Sequence, residues 1–316
     1  MATSGSVDFS VSRDTIITRA WQLLGVVEEG GTATANQITD GTSWLNLMVK
    51  NWQIDGLHLW SLEHIVLFPV KAQRKYSFGT SPSRMCKDQE LIQTELNGSH
   101  ASGATTLTVD STTGMAISDK IGIQTTSSGI TWTTISTIPS ATSLTIAAGL
   151  DGIAADNNNV YTYTTAFIYR PTKIQEAWLE QDDSSDLPLS IYSRTDYNKL
   201  SNKESSGKVI QLYYDPQLDT GELFTWQVPG DNELSELIHL IVQRPLEDFD
   251  ATGDTPDFPQ EWYLPIVYNL AMYALPVYGT ASTDATFITN MARILKMDVT
   301  AWDSESTSLF LSPRKR

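Results

Sequence analysis

Apolar residues recur at helical spacing in two segments at opposite ends of the chain, and between them the pattern changes to alternation. Near the start, Ile16, Ile17, Ala20, Leu23 and Leu24 share one side of a helix predicted over Arg13–Leu24, with Ser12 as N-cap and Gly25 as stop. A loop, Glu28–Thr34, follows. The spacing of Ile38, Gly41, Leu45, Met48 and Trp52 then predicts a second helix over Ile38–Asp55, closed by Gly56, so that the two make an antiparallel hairpin. At the other end, Pro265 opens a helix expected to reach Leu275 and to be ended by Pro276 and Gly279. A last helix has Asp284 in its first turn, with Phe287, Met291, Ile294 or Leu295, Val299 and Trp302 tracing one face.

Short β-prone runs begin at Ile65–Val70 and Tyr76–Phe78. A threonine-rich block over residues 98–165 carries only Asp110, Asp119, Asp151, Asp156 and Lys120 as charges. Its alternating pairs (Leu107 and Val109, Ile121 and Ile123, Ile135 and Ile138, Leu144 and Ile146, Tyr161 and Tyr163) suit a small β-barrel or sandwich. The block reads as an insertion, because the earlier β-prone type resumes at Phe167–Arg170. Further strands are expected at Leu187–Tyr192, Lys208–Tyr214, Glu222–Val228 and Leu237–Gln243, and Thr252–Pro259 is a loop.

The expected class is α+β: an antiparallel helical bundle from the N- and C-terminal segments, a mixed β core and the inserted β-domain. Residues 1–97 and 166–303 would form one discontinuous unit, 98–165 the insertion and 304–316 an extended tail, unordered until a partner binds it. No run of about 18 apolar residues exists, so no membrane span is expected. Met1–Ser10 has neither a basic n-region nor an apolar h-region, so no secretory signal is expected. The single cysteine, Cys86, leaves no internal disulfide and agrees with a reducing compartment.

A net charge of −16 argues against tight binding to a phosphate backbone, which needs clustered lysine and arginine. The acids concentrate over residues 171–260, whereas the tail ends in Arg314, Lys315 and Arg316. Candidate chemistry is thin. His58, His64, His100 and His239 lack the i, i+4 spacing of a helical metal pair, and Cys86 has no companion, so no metal and no cofactor is expected. Asp182, Asp183 and Asp186, and Asp151 with Asp156, read as solvated turns rather than calcium loops. Nucleophile-elbow, P-loop and dinucleotide-binding motifs are absent, and no catalytic residue is assigned. Glu28, Glu29 and Glu261 leave open a two-carboxylate glycosidase pair, and with it a cell-wall hydrolase. Trp21, Trp44, Trp52, Trp60, Trp262 and Trp302 lie in or beside the helices and read as packing residues, whereas Trp132 is a candidate carbohydrate or partner contact.

Arg19, Ala20, Leu24, Gly25 and Val26, then Leu45, Asn46, Met48, Trp52, Gly56, Leu57 and Trp60, and later Pro259, Ala271, Tyr278 and Gly279 stand in an order that resembles the head-to-tail adaptors of tailed bacteriophages. That ring-forming family includes packaged-DNA stabilisation proteins and tail tubular protein A. The resemblance covers about the first 75 and last 60 residues, and the block 98–165 departs from a minimal adaptor. It implies a non-enzymatic virion protein, made in the host cytoplasm and found in the neck or tail. Such a protein forms a ring of twelve copies beneath the portal protein, contacts a downstream tail or nozzle protein or a tail fibre, and lets genomic DNA pass through its lumen. It also implies a portal-binding role for the tail residues Leu309, Phe310, Leu311, Arg314, Lys315 and Arg316. An acidic surface that does not hold DNA back suits such a conduit. A neck ring that docks fibres or a nozzle is the structural alternative.

Overall fold

The computed structural model describes residues 5–54, 59–79, 84–126, 129–165, 167–181, 185–231, 233–279 and 283–303. Gly56, Leu57, His58, Asp182, Asp183 and the tail with its candidate portal contacts lie outside them. The protein is α+β. Its helices are α1 (Arg13–Leu23), α2 (Ala35–Trp52), α3 (Arg194–Lys199), α4 (Tyr263–Tyr278) and α5 (Ala285–Trp302). The strands begin with β1 (Leu62–Leu67), β2 (Lys75–Phe78), β3 (Met85–Lys87), β4 (Ile92–Glu95), β5 (Thr106–Thr108), β6 (Lys120–Thr125), β7 (Gly129–Ser140) and β8 (Ser143–Ile146). They continue with β9 (Asn159–Tyr163), β10 (Lys173–Glu180), β11 (Asp186–Pro188), β12 (Ser190–Tyr192), β13 (Gln211–Pro216), β14 (Gly221–Trp226) and β15 (Leu237–Gln243).

Two compact units result: Met1–Ser61 with Pro245–Arg316, and Leu62–Arg244. This division differs from the expected one, which joined the helices to the β core and set residues 98–165 apart. All the strands fall in one unit, and four of the five helices in the other.

In the helical unit, α4 touches α1, α2 and α5, and the segments from both chain ends share one core. Ser12 caps α1 through its hydroxyl, which accepts from the Thr15 N–H. Thr34 and Gln37 form a reciprocal capping box that starts α2 three residues before the expected Ile38. Asp284 is the N-cap of α5 rather than a first-turn residue, its carboxylate accepting from the Phe287 N–H at 2.9 Å. α4 continues through Pro276, the expected stop, and ends only at Tyr278. Near a C-terminus the bond that proline removes is a last-turn bond, so its loss costs little. The core centres on Trp52, Trp60, Phe258 and Trp262, whose rings approach to 4.9–6.2 Å between centroids. Gly41 lets α2 lie against α1: a Cβ there would sit 2.5 Å from Cγ2 of Ile17.

In the β unit, an antiparallel five-stranded sheet runs β11-β10-β15-β1-β3 and a four-stranded sheet β12-β13-β14-β2, with β12 parallel to β13. Ile65, Leu67, Ile238, Leu240 and Val242 of the first sheet share a core with Tyr76, Phe78, Leu212 and Leu223 of the second. The expected strand Leu187–Tyr192 is two strands, because the chain changes sheets at buried Leu189. No strand forms at Phe167–Arg170, where the segment precedes Pro171, a residue with no donor for a ladder. The block 98–165 gains β4 and becomes a six-stranded sheet, β4-β9-β6-β7-β8-β5, around its own core of Leu96, Leu107, Val109, Ile121, Ile123 and neighbours. A bridge between Leu96 and Val109 links its outermost segments. The second face of the five-stranded sheet packs Val66, Phe68, Cys86 and Leu237 against Tyr161 and Tyr163 of β9.

Two measurements check this packing. Gly41→Ala forces apart a tight helix pair and is expected to lower unfolding free energy by about 1–3 kcal/mol in chemical denaturation. Burial, with Asp88 and Glu90 adding to it, pushes the Cys86 thiol up from its ordinary value. A disulfide-exchange reagent is therefore expected to leave Cys86 unmodified in the native protein and to react with one thiol per chain after denaturation.

Candidate functional site

The helical unit leaves several large apolar side chains uncovered. Of the 18 residues of α5 only Ile288 and Ala292 are buried, whereas Phe287, Met297 and Trp302 are 52%, 62% and 66% exposed and Ile294 is exposed as well. The sequence expected Phe287, Met291, Ile294 or Leu295, Val299 and Trp302 along one face; of these Val299 packs against the core, whereas Phe287, Ile294 and Trp302 do not. α5 is instead rotated so that its small side chain, Ala292, meets α4, where the buried Asn269 amide donates to the carbonyls of Pro265 (2.9 Å) and Ala292 (3.0 Å). Small residues permit close helix approach, and a fixed buried amide holds the register.

Two grooves flank α4. One, of about 630 Å³, is lined by Met272 and Tyr273 of α4 and by Arg293, Lys296, Met297 and Ala301 of α5. Its Lys296 ammonium also lies over the Trp52 ring at 4.8 Å. The other, of about 510 Å³, is lined by Arg19, Leu23 and Val27 from the first chain segment and by Leu264, Val267 and Tyr268 of α4. The grooves differ in lining and charge, so they are not two halves of one self-complementary patch. Leu264 is itself exposed.

The β unit holds a separate polar cluster on the second face of its five-stranded sheet. Antiparallel register puts His239 of β15 opposite Trp178 of β10 and Val66 of β1, with His64 and Glu180 one diagonal step away. His64 Nε2 lies 2.9 Å from His239 Nδ1. His64 Nδ1 lies 3.3 Å from Asp88, just past β3, and His239 Nε2 lies 2.8 Å from Glu180. Trp178 stacks on His239 with an interplanar angle of 3°. His239 is 6% exposed, while His64, Asp88 and Glu180 are reached by solvent. Burial lowers the His64 pKa, opposed by Asp88 and reinforced by His239. His64, His239 and Asp88 each offer a ligand atom within 4.8 Å of the others. Helical i, i+4 spacing could not reveal this pair, because residues 175 apart in sequence meet only through strand pairing.

The remaining sequence candidates have other surroundings. Glu28, Glu29 and Glu261 are exposed residues of the helical unit. Asp151 accepts from the Thr131 hydroxyl, and Asp156 accepts from the Gly98 N–H at 2.6 Å. Both carboxylates thus tie turns together. His100 accepts from the Thr108 N–H at 3.2 Å. Trp132, the candidate carbohydrate contact, packs edge-on against Phe68 at 4.7 Å and carries the Arg84 guanidinium at 5.2 Å.

No protein-family model matches the chain, and no curated protein matches it. Among solved structures, the tailspike gp61 of Pseudomonas phage phi297 is similar over 23% of this chain, at 21% identity and a TM-score of 0.21. The matching region spans 14% of that tailspike, and a likeness of this size fixes neither fold nor function.

Proposed function

We propose that this chain is a structural protein of a tailed-phage virion, a head-to-tail adaptor that forms a ring under the portal protein and continues the DNA channel. The observation that carries this reading is the uncovered apolar face of α5 beside two unlike grooves on α4. A ring closes through heterologous contacts, in which one surface of each copy meets a different surface of the next. An exposed helical face and a non-equivalent groove on the same unit meet that requirement, and large apolar patches left in water mark interaction sites. The net charge of −16 suits a lumen through which DNA slides.

In this reading the helices from both ends form the antiparallel bundle that carries the ring contacts. The six-stranded sheet, with its outer segments joined at Leu96 and Val109, is a small barrel. The tail residues Leu309, Phe310, Leu311, Arg314, Lys315 and Arg316 reach the portal as an apolar anchor with cations. Exposed Ile117 and Ile153 on the six-stranded module favour, as a second role, a docking point for a fibre or nozzle protein.

Electron microscopy and light scattering of the purified chain, alone and with portal rings, are expected to show closed rings. Phe287→Glu with Met297→Glu is expected to weaken self-association at least tenfold, about 1.4 kcal/mol or more per contact, without changing the circular-dichroism spectrum. A chain that stays monomeric in both conditions would remove the reading. Deleting residues 304–316 is expected to abolish portal binding with the fold intact. Retained portal binding after that deletion would favour the neck-ring alternative.

A further inference from the structure

We propose that His64 and His239 form a binding site for one divalent transition-metal ion of the zinc and copper class, clamping β1 to β15. The inference is independent of the ring reading. It starts from proton counting along the row Asp88, His64, His239, Glu180. Ionised carboxylates only accept, so Asp88 takes the Nδ1–H of His64 and Glu180 takes the Nε2–H of His239. A neutral imidazole has one N–H, and both are now used. His64 Nε2 and His239 Nδ1 therefore face each other as two lone pairs only 2.9 Å apart. Two lone pairs at that distance repel unless an electrophile lies between them.

A proton or a metal ion can fill that role, and two observations favour the metal. Each imidazole is oriented by a carboxylate on its far nitrogen, the arrangement that fixes tautomer and raises basicity in metal-bound histidine. The two flanking carboxylates give the site a double negative charge with both rings neutral, which a divalent ion balances and a single proton does not. Stacking on Trp178 fixes the buried ring, and the exposure of His64 and Asp88 gives an entry path. Two nitrogens on a tetrahedral zinc ion stand about 3.4 Å apart, so the rings need to separate by about half an ångström. Water is available to complete the coordination sphere.

The test uses the full chain in chelator-treated buffer near neutral pH. Calorimetric titration with Zn²⁺ is expected to show one saturable site with a dissociation constant of about 10 µM or tighter. Cu²⁺ is expected to give an electron paramagnetic resonance signal split by two nitrogens. Asp88→Asn should weaken Zn²⁺ binding about tenfold or more while keeping the two-nitrogen signal. His64→Gln, at the more exposed ring, should abolish that signal with unchanged circular dichroism, and His100→Gln should change nothing. Failure to saturate below about 1 mM Zn²⁺, or undiminished binding in a folded His64→Gln protein, overturns the proposal. So does an imidazole NMR spectrum that shows a shared proton between the rings and does not respond to Zn²⁺.

Discussion

Burial of β15 on both sides is the constraint from which the β unit follows. Six of its seven residues, Leu237–Gln243, are buried. Ile238, Leu240 and Val242 face the four-stranded sheet, while Leu237 and His239 face the other way. A strand enclosed on both faces cannot shift register by one residue without exchanging its apolar and polar sets. It also cannot hide an unpartnered imidazole, because burying a polar group without a hydrogen bond costs about 1–3 kcal/mol. His239 at the centre of the sheet is thus tolerable only because Glu180, Trp178 and His64 surround it. The polar row is the consequence of placing a histidine where the fold needs a central strand.

The helical unit solves a different problem. α4, with no charged residue in YLPIVYNLAMYALPVY, is wrapped by α1, α2 and α5, and its single buried amide is satisfied internally. α5 covers one side of it with Ile288 and Ala292 and leaves its larger side chains in water. Burying a side chain such as Phe287 or Met297 contributes about 1.5–3 kcal/mol. The described core covers these side chains only in part, and another apolar surface laid on α5 would collect the remainder.

Much of this was legible in the sequence wherever one rule dominated. The caps at Ser12, the periodicity of Ile16 to Leu24 and of Leu45 to Trp52, and the run Leu237–Gln243 all correspond to observed elements. β10 was not, and the reason is local: Lys173–Glu180 carries the helix formers Glu176, Ala177 and Leu179, and a register shift between Ile174 and Glu176 breaks its alternation. α3 was missed because six residues give too short a period, although Ser193 followed by Asp196 is a capping signal. The rotation of α5 was unreadable because its apolar stripe is wider than the face α4 can cover. The histidine cluster was unreadable for a stronger reason: it exists only once β1, β10 and β15 are aligned.

These two features differ in what could satisfy them. The facing lone pairs of His64 and His239 require one positive centre, which either a proton or a metal ion supplies, so the sheet folds with or without a metal ion. The ion adds a cross-strand link but is not needed to create the strands. The apolar face of α5 has no such substitute, because water is a poor solvent for it and Phe287, Met297 and Trp302 remain more than half exposed. A requirement met by a proton is compatible with a chain that acts alone. Another apolar surface would satisfy the exposed face of α5 better than water does, which is why the helical unit, rather than the polar row, motivates the functional proposal.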